Sequence, residues 1–203
     1  MVFFVSWLAV MFPLAFSPGP ANVVFAANGA NVGVRKSLPL LLGVDFIFLI
    51  KSILVGVGFG STLALYPQSL LYLQVIGSLY IFWLAIKFIK PVNKSSSTLN
   101  SNLGFKDGVI LQLVNSKGWL LVALMFTLFT DQSAKEYGEY GIAILIVMLA
   151  LLNITSHFIW IWMGSLIIKL IKNTYWAKYL NAGFALSLVL VGLWLLFDVF
   201  LNR

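Results

Sequence analysis

The sequence predicts an all-α polytopic membrane protein, with about six transmembrane helices in a 3+3 arrangement and a broken first helix. Three observations predict it. Of the 203 residues, 61% are hydrophobic and 9% charged, where a soluble domain has roughly 45–50% apolar and about 25% charged residues. The mean hydropathy is +1.00, more apolar matter than one core of this length can hide, so lipid is the solvent for much of the surface. Second, the apolar residues gather into stretches close to or above the ~20 residues that cross a hydrocarbon core of about 30 Å. Third, prolines interrupt the first of these stretches.

The spans are read as Val2–Ala27, Leu38–Leu65, Leu70–Ile89, Val109–Thr130, Gly141–Leu170 and Leu180–Leu201. Their apolar runs are continuous and lack the alternation of a barrel strand. The whole of 1–203 is read as one transmembrane domain, with a polar linker at 90–104 dividing three spans from three. Two similar halves with an odd number of spans each would be inverted relative to one another. The first stretch lacks the basic leader of a cleaved signal peptide and carries three prolines, which favours a span.

Charge sets the orientation. The first, third and fifth connections carry Arg35 and Lys36; Lys87, Lys90, Lys94 and Lys106; and Lys169, Lys172 and Lys178. Basic loops stay on the cytoplasmic side, so both termini are expected outside. The net charge of +7 is thus scattered over short loops and offers no contiguous basic face for nucleic acid. Cysteine is absent, which excludes disulfides, thiolate metal sites and thiol catalysis. No cofactor is implied, and no glycine loop for ATP is visible.

Chemistry at lipid depth has few candidates. Ser17-Pro18-Gly19-Pro20-Ala21-Asn22 lies inside the first span. Each proline removes a backbone donor, so the helix cannot run through unbroken. Freed backbone groups are costly in lipid and must face protein or a wet cavity, where helix ends can hold charged parts of a solute. Asp45 is the one acid well inside a span, a cation partner or proton carrier. Lys51, six residues on, does not share its face; it is either functional or a lysine snorkelling to the interface. In the fourth span Gln112 and Asn115 share a face, and Lys117 either neutralises Asp45, meets a substrate carboxylate, or snorkels. Asn153 and His157 are one turn apart in the fifth; the histidine is a proton relay or an interhelical hydrogen-bonding residue.

Taken together these residues resemble the lysine/threonine exporter family (LysE/RhtB). The resemblance rests on Ser17-Pro18-Gly19-Pro20-Ala21-Asn22, Gly29 through Pro39 with Gly43, Leu73 through Ala85, and Gln112-Leu113-Val114-Asn115-Ser116-Lys117, in order over nearly the whole chain. The branch of cysteine and O-acetylserine exporters is nearest. The resemblance implies export of amino acids or their derivatives across a bacterial inner membrane by proton antiport, and no enzymatic activity. Partners would be the small-molecule substrate, protons and the bilayer, with a homo-oligomer left open. Pro18, Gly19, Pro20, Asn22, Asn115 and Lys117 match motif residues. Ser116 stands where the motif has proline, which predicts a less sharply broken fourth helix. The acid of many members' second helix falls at Phe48, and Asp45 shares that face.

On this reading the breaks near Pro18–Pro20 and Asn115 line a central cavity, and Asn22, Gln112 and Asn115 hydrogen-bond the substrate. Asp45 attracts its ammonium or carries the proton, and Lys117 meets its carboxylate or pairs with Asp45. The alternatives are an exporter of another small solute or cation, or a non-transporting membrane assembly subunit. An intramembrane enzyme would need a catalytic set, and the chain has one histidine and no His-Glu-x-x-His.

Overall fold

The structure, a computed structural model, describes residues 2–59, 67–89, 103–170 and 174–201. These form α1 (Val2–Phe16), α2 (Pro20–Leu54) with a π-turn at Val55–Phe59, α3 (Pro67–Ile89), α4 (Phe105–Leu113), α5 (Ser116–Tyr137), a 3₁₀ turn at Gly138–Tyr140, α6 (Gly141–Leu170) and α7 (Thr174–Leu201). The described residues are helical almost throughout and hold no strand.

Lipid explains the outer faces. On α2, Leu42, Phe46, Leu49 and Ile53 are exposed, and on α6 so are Val147, Leu151, Ile154, Phe158 and Trp162. These steps of three and four residues draw one apolar stripe per helix, a face that water would not tolerate and acyl chains do. The opposite face of α6 buries Leu145, Leu149, Asn153, Ser156, His157 and Ile161, so polarity points inward.

The expected first connection is a single residue. Helix continues on both sides of Gly33, whose φ of 81° and ψ of 173° break α2 in two. That backbone region is open to glycine almost alone. Asn28 Nδ2 donates to Ser37 Oγ at 2.9 Å, although nine residues of straight helix would separate them by about 13.5 Å; the chain therefore doubles back at Gly33. Helix runs beyond the expected span end at Ala27 and resumes before the expected start at Leu38, across Asn28 and Ser37. Here they satisfy each other inside the turn. Asn28 Oδ1 also accepts from the Leu103 amide at 3.4 Å, tying the turn to the entry of α4, which Asp107 caps through the Gly104 amide at 2.9 Å. The helix that carries the expected fourth span starts at Phe105, ahead of Val109. Of the linker at 90–104, all but Leu103 and Gly104 lies outside the described residues, as do residues 60–65 of the second span.

Helix α2 is the hub, packing chiefly on α6 and α4, while α3 pairs with α7. Glycines set the approach. A Cβ on Gly29 would stand 2.1 Å from the Ile161 carbonyl oxygen, and one on Gly164 2.0 Å from that of Ala26. Gly43 against Phe105 and Gly108 against Leu40 repeat the pattern on α4. Small residues at such crossings let membrane helices meet backbone to backbone. One apolar cluster joins α2 to α3 and α7, with Phe25, Leu40, Leu84 and Leu188; a second joins α1 to α5 and α6, with Trp7, Met11, Met125 and Leu149.

Candidate substrate cavity at two helix breaks

Between these clusters two chain breaks face each other. The first, Ser17–Gly19, separates α1 from α2. It exists because Pro18 and Pro20 withhold two amides, and Gly19 starts α2 in extended backbone with Pro20 in its first turn, where the missing N–H costs nothing. Helix C-termini leave carbonyls without partners, and here side chains cover them. The Pro13 carbonyl accepts from the Ser17 amide and that of Leu14 from Ser17 Oγ, both at 2.9 Å. Asn22 Nδ2 reaches Ala15 O at 2.9 Å and Ser17 O at 3.0 Å. Ser156 Oγ on α6 adds a bond to Ala15 O at 3.2 Å. Lys117 Nζ then donates to Ser17 O at 2.9 Å and to Ser17 Oγ at 2.8 Å.

The second break, Val114–Asn115, separates α4 from α5. Asn115 caps α5, its side chain accepting from the Gly118 amide, while its Nδ2 donates to Gln112 Oε1 at 3.0 Å. Lys51 Nζ, from α2, donates to the Gln112 carbonyl and to Asn115 O at 3.4 Å, and stands 4.4 Å from the centre of the Trp119 ring. The helix is fully broken before Ser116, which corrects the expectation of a gentler bend: the Asn115 side chain and the Lys51 ammonium satisfy the backbone groups that the break frees.

The breaks enclose a cavity lined by Gly19, Asn22, Phe48, Gln112, Asn115, Lys117, Gly118, Asn153 and His157, among others. Its free space for a water-sized sphere is about 30 Å³, enough for one or two waters and too little for an amino acid in this conformation. Gln112 Nε2, on a residue 1% exposed, has no hydrogen-bond partner among the described residues. Behind the wall, His157 Nδ1 lies 2.7 Å from Asp45 Oδ1, with side chains 6% and 11% exposed. The second Asp45 oxygen is buried with no partner among the described residues, and Phe25 packs on the imidazole with ring centres 4.6 Å apart.

Of the residues singled out in sequence, Gly19, Asn22, Gln112, Asn115, Lys117, Asn153 and His157 converge on the cavity. Pro20 is buried and Pro18 exposed; they make the break and stay off the wall. Asp45 reaches the cavity only through His157. Two expectations are corrected. Lys117 does not pair with Asp45, because α1 ends beside it and its ammonium takes the Ser17 carbonyl. Lys51 does not snorkel and has no ion-pair partner among the described residues: at 1% exposure it contacts two carbonyls and an indole. Asn153 spends its amide on Leu149 O at 3.0 Å within its own helix, apart from His157. Sequence reading passed over Ser156 and Trp119. Ser156 could have been found, since it follows Asn153 by three residues on the same inward face of α6.

A family profile described as LysE type translocator matches residues 12–199. The chain belongs to the LysE family. Helices facing lipid and family membership agree on a multi-pass membrane protein. It is similar to a cysteine/O-acetylserine efflux protein of Escherichia coli, 29% identical over 177 residues, which span 86% of this chain and 88% of that protein. An uncharacterized membrane protein of Vibrio cholerae is 27% identical over 137 residues, 65% of this chain and 66% of that one. No solved structure matches the chain. Phe48 forms apolar cavity wall.

Proposed function

We propose that this LysE protein is a secondary transporter that exports amino acids or small amino-acid derivatives across the bacterial inner membrane in exchange for protons. The observation that carries the reading is the cavity where two helix breaks meet inside an apolar bundle, with Asn22, Gln112, Asn115, Lys117 and His157 in its wall. Broken helices at lipid depth have a physical reason to exist when their ends bind a charged solute. Efflux activity in the relatives' names supports the direction and substrate class.

In this reading the amino acid lies between the breaks, with Asn22, Gln112 and Asn115 as hydrogen-bonding partners and Lys117 facing its carboxylate. The N-termini of α2 and α5, each carrying partial positive charge, favour the same anionic group. Asp45 and His157 carry the coupling proton: the imidazole faces the cavity and the carboxylate stands behind it at hydrogen-bonding distance. Because the cavity is too small for the substrate here, transport requires the bundle to open to each side in turn. Arg35 and Lys36, exposed at the Gly33 turn, lie on the cytoplasmic side by charge, and both termini lie outside.

Mass spectrometry of the growth medium, scanning amino acids without bias, tests the activity. Overproduction should enrich one or a few amino acids or derivatives outside the cell. Asp45→Asn should return export to the level of cells without the protein, with the protein still in the membrane. Enrichment of a metal cation or unrelated metabolite instead, or of nothing, would refute the substrate class. Normal efflux by the variant would remove Asp45 from the coupling. The native chain has no cysteine, so single cysteines at Arg35 and Glu139, labelled by a membrane-impermeant maleimide, report orientation: Glu139→Cys should react in intact spheroplasts and Arg35→Cys only after lysis.

A further inference from the structure

The two breaks are closed in the same way, each by a lysine from the other half of the chain. Lys51 caps the carbonyl end of α4, and Lys117 caps that of α1. A helix C-terminus carries partial negative charge and welcomes a cation, and in broken-helix transporters such carbonyl ends are where cationic groups bind. The lysines differ in one respect. Lys51 is sealed away from the cavity beneath Trp119, whereas Lys117 is half-buried and forms part of the cavity wall. Its chain also crosses Gly19 closely, with Cδ 2.9 Å from where a Cβ would stand, so the ammonium reaches Ser17 over a residue that has no side chain.

We infer that the Ser17 carbonyl and hydroxyl form the subsite for the substrate's ammonium group, and that Lys117 is its built-in occupant, displaced when substrate binds. This rests on the amino-acid reading above and deepens it. An incoming zwitterion brings one ammonium and one carboxylate. Its ammonium replaces that of Lys117 on Ser17, leaving the charge at that carbonyl end unchanged. The freed Lys117 turns to the carboxylate, which also meets Gln112 Nε2, the buried amide donor now without a partner. Neither half of the exchange strands a charge at lipid depth, where an unpaired ion is expensive. An amine lacking a carboxylate would displace Lys117 with no anion to receive it. An acid lacking an ammonium would leave Lys117 in place and find no counterion. The exchange therefore selects zwitterions over either half alone.

Equilibrium binding to the purified protein in lipid nanodiscs tests this with three probes: O-acetyl-L-serine, its methyl ester, and N,O-diacetyl-L-serine. The native protein should bind the zwitterion at least about tenfold tighter than the ester or the diacetyl acid, a difference of 1.4 kcal/mol. In Lys117→Met the built-in cation is gone, so the ester should gain about tenfold or more relative to the zwitterion. Lys117→Gln should shift the ratio in the same direction while its amide still covers Ser17 O, which guards against misfolding of the methionine variant. Lys51→Met should leave the ratio as in the native protein. An unchanged ratio in both Lys117 variants, with the zwitterion still bound, would overturn the exchange and leave the amino-acid reading standing. A shifted ratio in Lys51→Met would also overturn it. Failure of the native protein to bind any of the three would overturn the amino-acid reading for this class, and the exchange with it.

Discussion

The breaks at Ser17–Gly19 and Val114–Asn115 solve one problem with unequal materials. Both must cover carbonyls at the end of a helix inside a membrane bundle, and both use a lysine more than 60 positions away in sequence. The first is imposed by two prolines and a glycine and left open to a cavity. The second has no proline, depends on the Asn115 cap, and is closed by a lysine with almost no exposed surface. The lesson is that a buried ammonium is structural or functional according to what lies on its far side: an indole makes Lys51 part of the scaffold, and cavity space makes Lys117 free to move.

That contrast can be broken by removing each ammonium in turn. Lys51→Met leaves two carbonyls without their cation in a sealed site, at a cost of about 1–3 kcal/mol for a buried group left unpaired. The thermal midpoint in detergent should fall by roughly 2–4 °C per kcal/mol for a chain of this size. An unchanged midpoint would mean that Lys51 contributes nothing to closing the break. Lys117→Met should cost less than about 1 kcal/mol, because Asn22 still covers Ser17 O and cavity water can replace the ammonium. Its deficit should be in export, measured by release of the solute identified in the medium, which should drop while the midpoint holds. Equal thermal losses in the two variants would erase the distinction between scaffold and movable lysine.

The smallest effect sharpens the comparison from the other side. Ser116 occupies the first helical position of α5, where proline is tolerated, and Asn115 before it has φ −78° and ψ 97°, close to the range that precedes a proline. Ser116→Pro should therefore be neutral or stabilising by up to about 1 kcal/mol, with export intact, as read from the same melting and efflux measurements. Marked destabilisation would show that the second break needs the Ser116 amide.

The sequence alone determined the class and the places of disruption, because both are local. Long continuous apolar runs call for lipid wherever they pack, and Pro18, Gly19 and Pro20 end a helix whatever surrounds them. The turn at Gly33 was less legible: the expected spans end at Ala27 and resume at Leu38, and only the bond between Asn28 and Ser37 shows the chain doubling back at the glycine. Convergence of Asn22, Gln112, Asn115 and Lys117 was anticipated from the breaks and the family motifs. The partners were not. Asp45 meets His157 across 112 positions, Lys117 meets Ser17 across 100, and Lys51 meets Gln112 across 61. A lysine at lipid depth needs a counterpart, which the sequence states, but several were available. Which one it meets depends on how α2 crosses α4 and α6 at their glycines, and that packing belongs to the tertiary structure.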